Sequence, residues 1–292
     1  MSPALSARSR APALNTRPLW LLAAGLVALH QVAVAWIHHS IGLGAVCALV
    51  WGGAWICLED RLPEAGPQPS WPGLALGGAL LAFGLWRSFQ IFHPDAVVYA
   101  LPLVLGPALA LLYAPLRELR PFRDALLVLA LMPATLLASR VIPVDELSHL
   151  TARLTQGVLL LTGELARVDG REVWLAGGGV RIAGSCSGVE ILLQVTAIAT
   201  IFVLAFPLRS AGTRLLMVLV AAPAAAILAN AVRIALLTVI VSSDWADKQR
   251  WFDFFHEDEG SLVFAALTVS GFAWLYLRRL DRELKAAEAQ RG

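Results

Sequence analysis

Apolar runs long enough to cross a membrane recur along this chain, and they constrain its fold more than any other feature. A helix needs about 20 mainly apolar residues to cross a bilayer. Hydropathy places eight such segments: 18–37, 41–58, 72–92, 97–115, 123–142, 186–206, 214–241 and 260–278. Charged residues make up only 15% of the 292 residues, against about 25% in soluble domains. The sequence therefore predicts an all-α polytopic membrane protein with about eight transmembrane helices.

The distribution of basic residues predicts the orientation of these spans. With the N-terminus inside, the inner segments hold fourteen Lys and Arg residues: Arg8, Arg10, Arg17, Arg61, Arg117, Arg120, Arg123, Arg209, Arg214, Arg278, Arg279, Arg282, Lys285 and Arg291. The outer loops hold six: Arg153, Arg167, Arg171, Arg181, Lys248 and Arg250. Because cytoplasmic loops carry the excess of basic residues, we expect both termini inside. The segment from Glu59 to Glu64 is net acidic and is the exception.

One long outer loop divides the chain into five regions. These are a cytoplasmic tail (1–17), five N-terminal transmembrane helices (18–142), an extracytoplasmic insertion (143–185), three further transmembrane helices (186–280) and a polar C-terminal tail (281–292). Ala33-Val34-Ala35 resembles a signal-peptide cleavage site, but the first apolar run is long for a signal. We expect it to remain as an uncleaved first span.

The insertion has two recognisable parts. Leucine and valine residues recur at helical spacing after Pro143, with polar residues between them, which predicts an amphipathic helix in the membrane interface; these apolar residues are Leu147, Leu150, Leu154, Val158 and Leu161. Segments 164–168 and 171–175 flank Asp169-Gly170 and predict a small β-hairpin. A short strand should follow Gly177-Gly178-Gly179, and the hairpin could wall or cap what comes next.

Cys186 follows that strand, at the expected outer end of the sixth span. Its neighbours Gly184, Ser185, Ser187 and Gly188 are small and leave room for a substrate backbone. A nucleophilic cysteine acts as a thiolate, which free N–H groups at a helix N-terminus stabilise. The same groups could form an oxyanion hole. Cys186 is either a nucleophile or a small interface residue, whereas Cys47 and Cys57 are expected to be buried apolar residues.

Two more ionisable residues fall at the same predicted face. Arg233 lies within the seventh span, where an arginine is costly unless it is paired or faces water. It could stabilise a thiolate or an oxyanion, and Asn230 could line the same helix face. His256 lies just before the last span and is a plausible general acid or base, with Asp253, Glu257 or Asp258 as possible orienting groups. The other five histidines and the aromatic residues of 245–255 are interpreted as interface residues.

Glu190 complicates this picture. It comes four residues after Cys186, which would place it on the same helix face, and an ionised carboxylate there would disfavour a thiolate. Glu190 is therefore either protonated, paired with Arg233, Arg87 or Arg140, or bound to an amine of the substrate.

The chain resembles the exosortase/archaeosortase family of membrane-embedded cysteine transpeptidases. The matching pieces are Cys-Ser-Gly at 186–188, Asn-x-x-Arg at 230–233 and His-x-x-x-Gly at 256–260, each next to or within one of the last three spans. The resemblance covers mainly residues 140–278. It implies that Cys186 is the nucleophile, His256 the proton shuttle and Arg233 an electrostatic stabiliser, with no metal or organic cofactor.

The resemblance also implies substrates and a location. Such enzymes cleave exported, membrane-anchored proteins at a C-terminal sorting signal: a short motif (Pro-Glu-Pro in bacteria), a transmembrane helix and a basic tail. A thioacyl-enzyme then passes the acyl group to an acceptor, which the sequence does not identify, at the outer face of the bacterial inner membrane. The partners are thus substrate proteins and the lipid bilayer, not nucleic acid. Two other classes remain open: a transporter whose pathway Arg233, Arg87 and Glu190 would line, and a non-catalytic membrane assembly protein.

Overall fold

Twelve helices and a three-stranded sheet make up the described part of the chain. The structure, a computed structural model, describes residues 17–59, 61–62, 69–93 and 95–290. The helices are α1 Arg17–His38, α2 Ile41–Glu59, α3 Trp71–Ser88, α4 Val97–Tyr113, α5 Arg123–Leu129, α6 Leu131–Val141, α7 Val144–Leu161, α8 Val189–Ala205, α9 Ala211–Leu216, α10 Ala222–Ser242, α11 Lys248–His256 and α12 Asp258–Ala289. The strands are β1 Arg167–Asp169, β2 Glu172–Leu175 and β3 Gly178–Arg181.

The prediction of a helical membrane protein is confirmed, but the count of eight spans is not. Within the described residues, five helical segments are long and apolar enough to cross a bilayer: Arg17–His38, Ile41–Glu59, Arg120–Val141, Ala211–Ser242 and Glu259–Ala289. Val97–Tyr113 and Val189–Ala205 are apolar but shorter. Many large apolar side chains on the long helices are exposed, such as Leu22, Leu26 and Leu29 of α1. Lipid-facing helices have this property because the bilayer is itself apolar.

Prolines mark the two irregular long segments. Proline has no backbone N–H and cannot complete the hydrogen bond to the residue four positions before it. Pro133 lies near the start of α6, where the fifth predicted span divides into α5 and α6. Pro223 lies in the first turn of α10, directly after a π-helical turn at Met217–Ala221 that joins α9 to α10. The seventh predicted span is thus one continuous helix in which the single turn Met217–Ala221 is π-helical instead of α-helical.

Helix α10 is the centre of the C-terminal half. It packs against α7, α8, α11 and α12, and also against β2 and β3. A second core lies among α1, α2, α4 and α5, and α2 packs against α8 to join the two halves. Arg233 lies on α10 itself, and both the turn that carries Cys186 and the helix that ends at His256 contact α10.

The insertion contains the predicted amphipathic helix and hairpin, with a third strand added. The three strands pair antiparallel in the order β1-β2-β3, with Val168 opposite Val173 and Val173 opposite Val180. Gly170, in the predicted turn, has a φ of 60°, which glycine adopts without steric cost.

The sheet is seated on the C-terminal end of α10. Ser242 Oγ donates to the Gly178 carbonyl at 3.0 Å. A Cβ at Gly177 would lie 2.2 Å from the Ser242 carbonyl oxygen, and one at Gly179 would lie 2.6 Å from the Trp174 ring. The glycine run at 177–179 is thus explained by close approach of the backbone, because no larger residue fits there.

Helix α7 is amphipathic as predicted, and it packs on the protein through one face. Its buried side consists largely of small and hydroxyl residues together with two leucines: Leu147, Ser148, Thr151, Ala152, Thr155 and Leu159. Leu150 and Leu161 of the predicted apolar stripe are exposed. Small residues allow two backbones to approach closely, and α7 packs against α10 through them. The exposed leucines are left to face the surroundings, as an interfacial helix requires.

The structure describes the two ends of the chain to different extents. The predicted N-terminal tail, with Arg8 and Arg10, lies outside the described residues except for Arg17, which begins α1. Asp60, Glu64 and Arg291 also lie outside them. Residues 281–289 of the predicted C-terminal tail form the last turns of α12, which continues without a break to Ala289. Ion pairing of Lys285 with Asp281 at 2.7 Å supports that extension.

The contact between α2 and α8 gives a test of the packing. A Cβ at Gly53 would lie 2.4 Å from Cγ2 of Ile201, whereas one at the neighbouring Gly52 would meet nothing within 4 Å. We expect Gly53→Ala to lower the thermal midpoint of the detergent-solubilised protein, because overpacking costs about 1–3 kcal/mol. Gly52→Ala should leave the midpoint unchanged or raise it. Equal midpoints in the two variants would contradict this packing.

Candidate active site

Cys186 ends a short 3-10 turn, Gly184–Cys186, between β3 and α8. The prediction that the sixth span begins at Cys186 is therefore wrong by three residues, since α8 begins at Val189. Gly188 separates the two with a φ of 93°, in the left-handed region. The Cys186 and Ser187 N–H groups donate to the carbonyls of Ala183 and Gly184. They are thus already hydrogen-bonded within the turn.

The turn is held from two sides by polar side chains. Asn230 of α10 donates from Nδ2 to the Cys186 carbonyl at 3.0 Å, and Thr151 of α7 donates to the Ser187 carbonyl at 2.9 Å. A Cβ at Gly188 would lie 2.6 Å from Asn230 Nδ2. The glycine of the Cys-Ser-Gly motif therefore serves two purposes: it takes the left-handed conformation, and it lets Asn230 reach the loop.

Arg233 lies one turn after Asn230 and is 2% exposed. Its Nε donates to the Phe255 carbonyl at 2.8 Å and its Nη2 to the His256 carbonyl at 2.6 Å. These carbonyls belong to the last turn of α11, where helix carbonyls have no partner within the helix. A cation there also interacts favourably with the helix dipole. Arg233 thus caps α11 and fixes the backbone of His256.

His256 is the last residue of α11 and is exposed. Its ring stacks on Phe252 with centroids 5.2 Å apart and planes at 17°. Gly260, at the start of α12, packs so tightly that a Cβ would lie 2.4 Å from Phe255 Cα. The glycine of the His-x-x-x-Gly motif therefore permits the sharp corner between α11 and α12.

Cys186 and His256 line one cavity of about 180 Å³, which we call the thiol cavity. Residues 179–182, which run from β3 towards the turn, form one wall. Ile234, Leu237 and Val241 of α10 line it as well, as does Phe252 of α11. Cys186 itself is 4% exposed. The structure thus places a thiol and an imidazole around one small, mostly apolar space, with the sheet as its wall.

A comparison with known families decides the class of the chain. The family model for transmembrane exosortases matches residues 33–273. The chain belongs to the transmembrane exosortase family. No curated protein and no solved structure matches it significantly. The family match extends well before the 140–278 region that carried the sequence resemblance, and it includes α2 to α6.

The three motifs of this exosortase are joined by hydrogen bonds from Asn230 and Arg233, but not all of their residues line the thiol cavity. The residues described as lining that cavity do not include Arg233. Among the described residues, no group of three or more His, Cys, Asp and Glu side chains is arranged to hold a metal ion.

Glu190 is not on the same side as Cys186. Because Cys186 lies in the turn and the left-handed Gly188 changes the chain direction before α8, helical spacing does not relate the two residues. Glu190 instead lines a larger cavity of about 550 Å³, which we call the carboxylate cavity; Gly184, Gln194, Tyr99, His39 and Ser139 line it too. Of the suggested partners, Arg87 pairs with Asp95 at 2.7 Å, and Arg140 is exposed.

Sequence reasoning missed two supporting threonines and misinterpreted two aromatic residues. Thr151 and Thr155 are fully buried on α7, and Thr155 donates to the Ala231 carbonyl of α10 at 3.2 Å. Their spacing of four residues was the signal for one helix face. Phe252 and Phe255, interpreted as interface residues, pack against the core that contains Cys186.

Gly188 and Gly184 offer a matched test of the turn. We expect Gly188→Ala to lower the thermal midpoint and to speed iodoacetamide labelling of Cys186, because left-handed backbone costs a residue with a Cβ about 1 kcal/mol or more and the Asn230 contact is lost. Gly184→Ala should change neither quantity, since its Cβ would meet nothing within 4 Å. Labelling would be read by mass spectrometry, with buried Cys47 and Cys57 as internal references. Wild-type behaviour of Gly188→Ala would contradict the geometry.

Proposed function

We propose that the chain is a membrane cysteine transpeptidase that cleaves the C-terminal sorting signal of exported, membrane-anchored proteins at the outer face of the bacterial inner membrane. The observation that carries the proposal is that Cys186 and His256 line one cavity in a chain of the transmembrane exosortase family. The signal would comprise a short motif such as Pro-Glu-Pro, a transmembrane helix and a basic tail.

Cys186 and His256 divide the chemistry between them. His256 takes the proton of the Cys186 thiol, and the sulfur attacks the carbonyl carbon of the scissile peptide bond. The protonated imidazole then gives that proton to the leaving nitrogen, and the C–N bond breaks. The product is a thioacyl-enzyme, which an acceptor nucleophile resolves as the C–S bond breaks and the thiol is regenerated.

Arg233 is proposed to act through His256. Its two hydrogen bonds to the end of α11 hold the histidine backbone, and a guanidinium can donate to two carbonyls at once. The role implied by the resemblance, direct stabilisation of an oxyanion, remains a prediction. Asn230 has the corresponding task for the nucleophile, because it holds the Cys186 carbonyl.

The contacts of Arg87 and Arg233 weigh against the transporter alternative. Arg87 is engaged by Asp95 and Arg233 by two backbone carbonyls. Charges that line a transport pathway face water or a substrate, whereas these two guanidiniums hold loops and helix ends.

A processing assay tests the nucleophile and the base. The chain would be co-expressed with reporters carrying a Pro-Glu-Pro signal, a transmembrane helix and a basic tail. We expect Cys186→Ala, Cys186→Ser and His256→Ala to abolish processing at matched membrane levels, while Cys47→Ser and Cys57→Ser retain it. Immunoblotting of the reporter gives the readout. Processing by Cys186→Ala at the wild-type rate would refute the thioacyl mechanism.

A second series tests the positioning role of Arg233. We expect Arg233→Ala to abolish processing and Arg233→Lys to restore part of it, because a lysine can donate to one of the two carbonyls. The loss should exceed about tenfold, since hydrogen bonds to a charged group contribute about 1.5–3 kcal/mol. Arg140→Ala, which removes an exposed charge from α6, is the control and should process normally. If Arg233→Lys were as inactive as Arg233→Ala while both folded, capping of α11 would not explain the requirement.

A further inference from the structure

The Cys186 turn contributes to both cavities, since Gly184 lines the carboxylate cavity and Cys186 the thiol cavity. It opens between the α1–α2 turn, α4, α6 and the start of α8. With about 550 Å³, it is roughly three times as large as the thiol cavity. The mechanism above assigns no role to it or to Glu190.

Three of the polar side chains that line the cavity offer oxygen atoms as hydrogen-bond acceptors: Glu190, Thr135 and Ser139. Thr135 and Ser139 donate their hydroxyl protons to carbonyls of their own helix, at 2.7 and 2.8 Å, which leaves their oxygens as acceptors. Gln194 Nε2 donates to Glu190 Oε1 at 3.1 Å and fixes the carboxylate at the cavity wall. A primary ammonium has three donors and no acceptor. It is therefore the ligand that a carboxylate and spare hydroxyl oxygens would bind.

Gly184 connects this cavity with the nucleophile. It lines the carboxylate cavity and precedes Cys186 by two residues. A Cβ at Gly184 would meet nothing within 4 Å, so there is open space beside the turn. A group bound near Glu190 thus lies next to the loop that would carry the acyl group.

We propose that the carboxylate cavity binds the primary ammonium group of the acyl acceptor, with Glu190 as its counter-ion and proton acceptor. This proposal rests on the proposed function, because an acceptor is needed only if a thioacyl-enzyme forms.

Acyl transfer to the amine requires that the ammonium first lose a proton. The Glu190 carboxylate takes one proton from the bound ammonium, and the neutral amine attacks the thioester carbon. The C–N bond forms, the C–S bond to Cys186 breaks, and a second nitrogen proton passes to the sulfur. The products are an amide, the Cys186 thiol and a protonated Glu190, which returns its proton to water. No oxidant or further reactant is required.

Ammonium binding can be tested without catalysis. The full chain carrying Cys186→Ser, in phosphatidylcholine nanodiscs, would be titrated with dansylcadaverine, a fluorescent primary amine. We expect saturable binding that ethanolamine displaces and the neutral N-acetylethanolamine does not. Glu190→Gln should weaken it about tenfold, the effect of one hydrogen bond to a charged group, and the isosteric Thr135→Val about threefold. Glu164→Gln, an exposed carboxylate, is the matched control; equal binding by Glu190→Gln and this control would overturn the proposal.

Acyl transfer is measured on the enzyme with Cys186 intact. A short acyl thiophenyl ester would load Cys186, and products would be identified by mass spectrometry. In one arm, ethanolamine is added to the enzyme in phosphatidylcholine nanodiscs, and a soluble acceptor site would yield N-acylethanolamine. In the other arm, the nanodiscs contain phosphatidylethanolamine, and a lipid acceptor site would yield N-acyl lipid. Glu190→Gln should reduce acyl transfer about tenfold in whichever arm gives product with the wild type. Hydroxylamine is uncharged at neutral pH, so its cleavage of the Cys186 thioester should not change.

The two proposals fail in different ways. Glu190-dependent amine binding without selective loading of Cys186 would refute the proposed function and keep the ammonium site. Loading of Cys186 with equal transfer by wild type and Glu190→Gln would keep the function and refute the ammonium site.

Discussion

Two polar side chains one turn apart on α10 hold the site together. Asn230 and Arg233 are almost fully buried, and a buried amide or guanidinium is costly unless it is hydrogen-bonded. The backbone carbonyls of the Cys186 turn and of the end of α11 supply the acceptors. The dependence is mutual: the two buried side chains need acceptors, and the carbonyls of a helix end and of a tight turn need donors. One helix therefore sets the positions of the Cys186 turn and of the α11 end that carries His256, although these lie far apart in sequence.

How far the sequence predicts such a site depends on which interactions are local. The motif residues around Cys186, Arg233 and His256 were recognisable because their types are rare next to apolar segments. The contact of Arg233 with the carbonyls of α11 could not be recognised from the sequence, because every residue has a backbone carbonyl and none marks this partner. The eight apolar runs predicted a helical membrane protein, yet hydropathy alone could not show that segments such as Val97–Tyr113 are too short to be clear spans.

Helical spacing predicted the amphipathic helix α7 correctly but misplaced Glu190 relative to Cys186. Helical spacing applies only within one helix, and the left-handed Gly188 interrupts the path between Cys186 and Glu190. On α7, Leu150 and Leu161 of the predicted apolar stripe are exposed, and the helix packs on α10 through the smaller Thr151 and Thr155 side. In a membrane protein, large apolar residues gain little from moving out of lipid, so the apolar face of a helix need not be its protein-facing side.

Helix α12 is longer than a bilayer is thick and continues as one helix to Ala289. At ~1.5 Å per residue, its 32 residues span about 48 Å, whereas the hydrocarbon core is about 30 Å thick. The polar last turns, with Lys285 paired to Asp281, must therefore stand beyond the bilayer as a short rod. A fluorescent protein or affinity tag joined there would be held away from the lipid surface at a nearly constant height, rather than trailing on a loose tether.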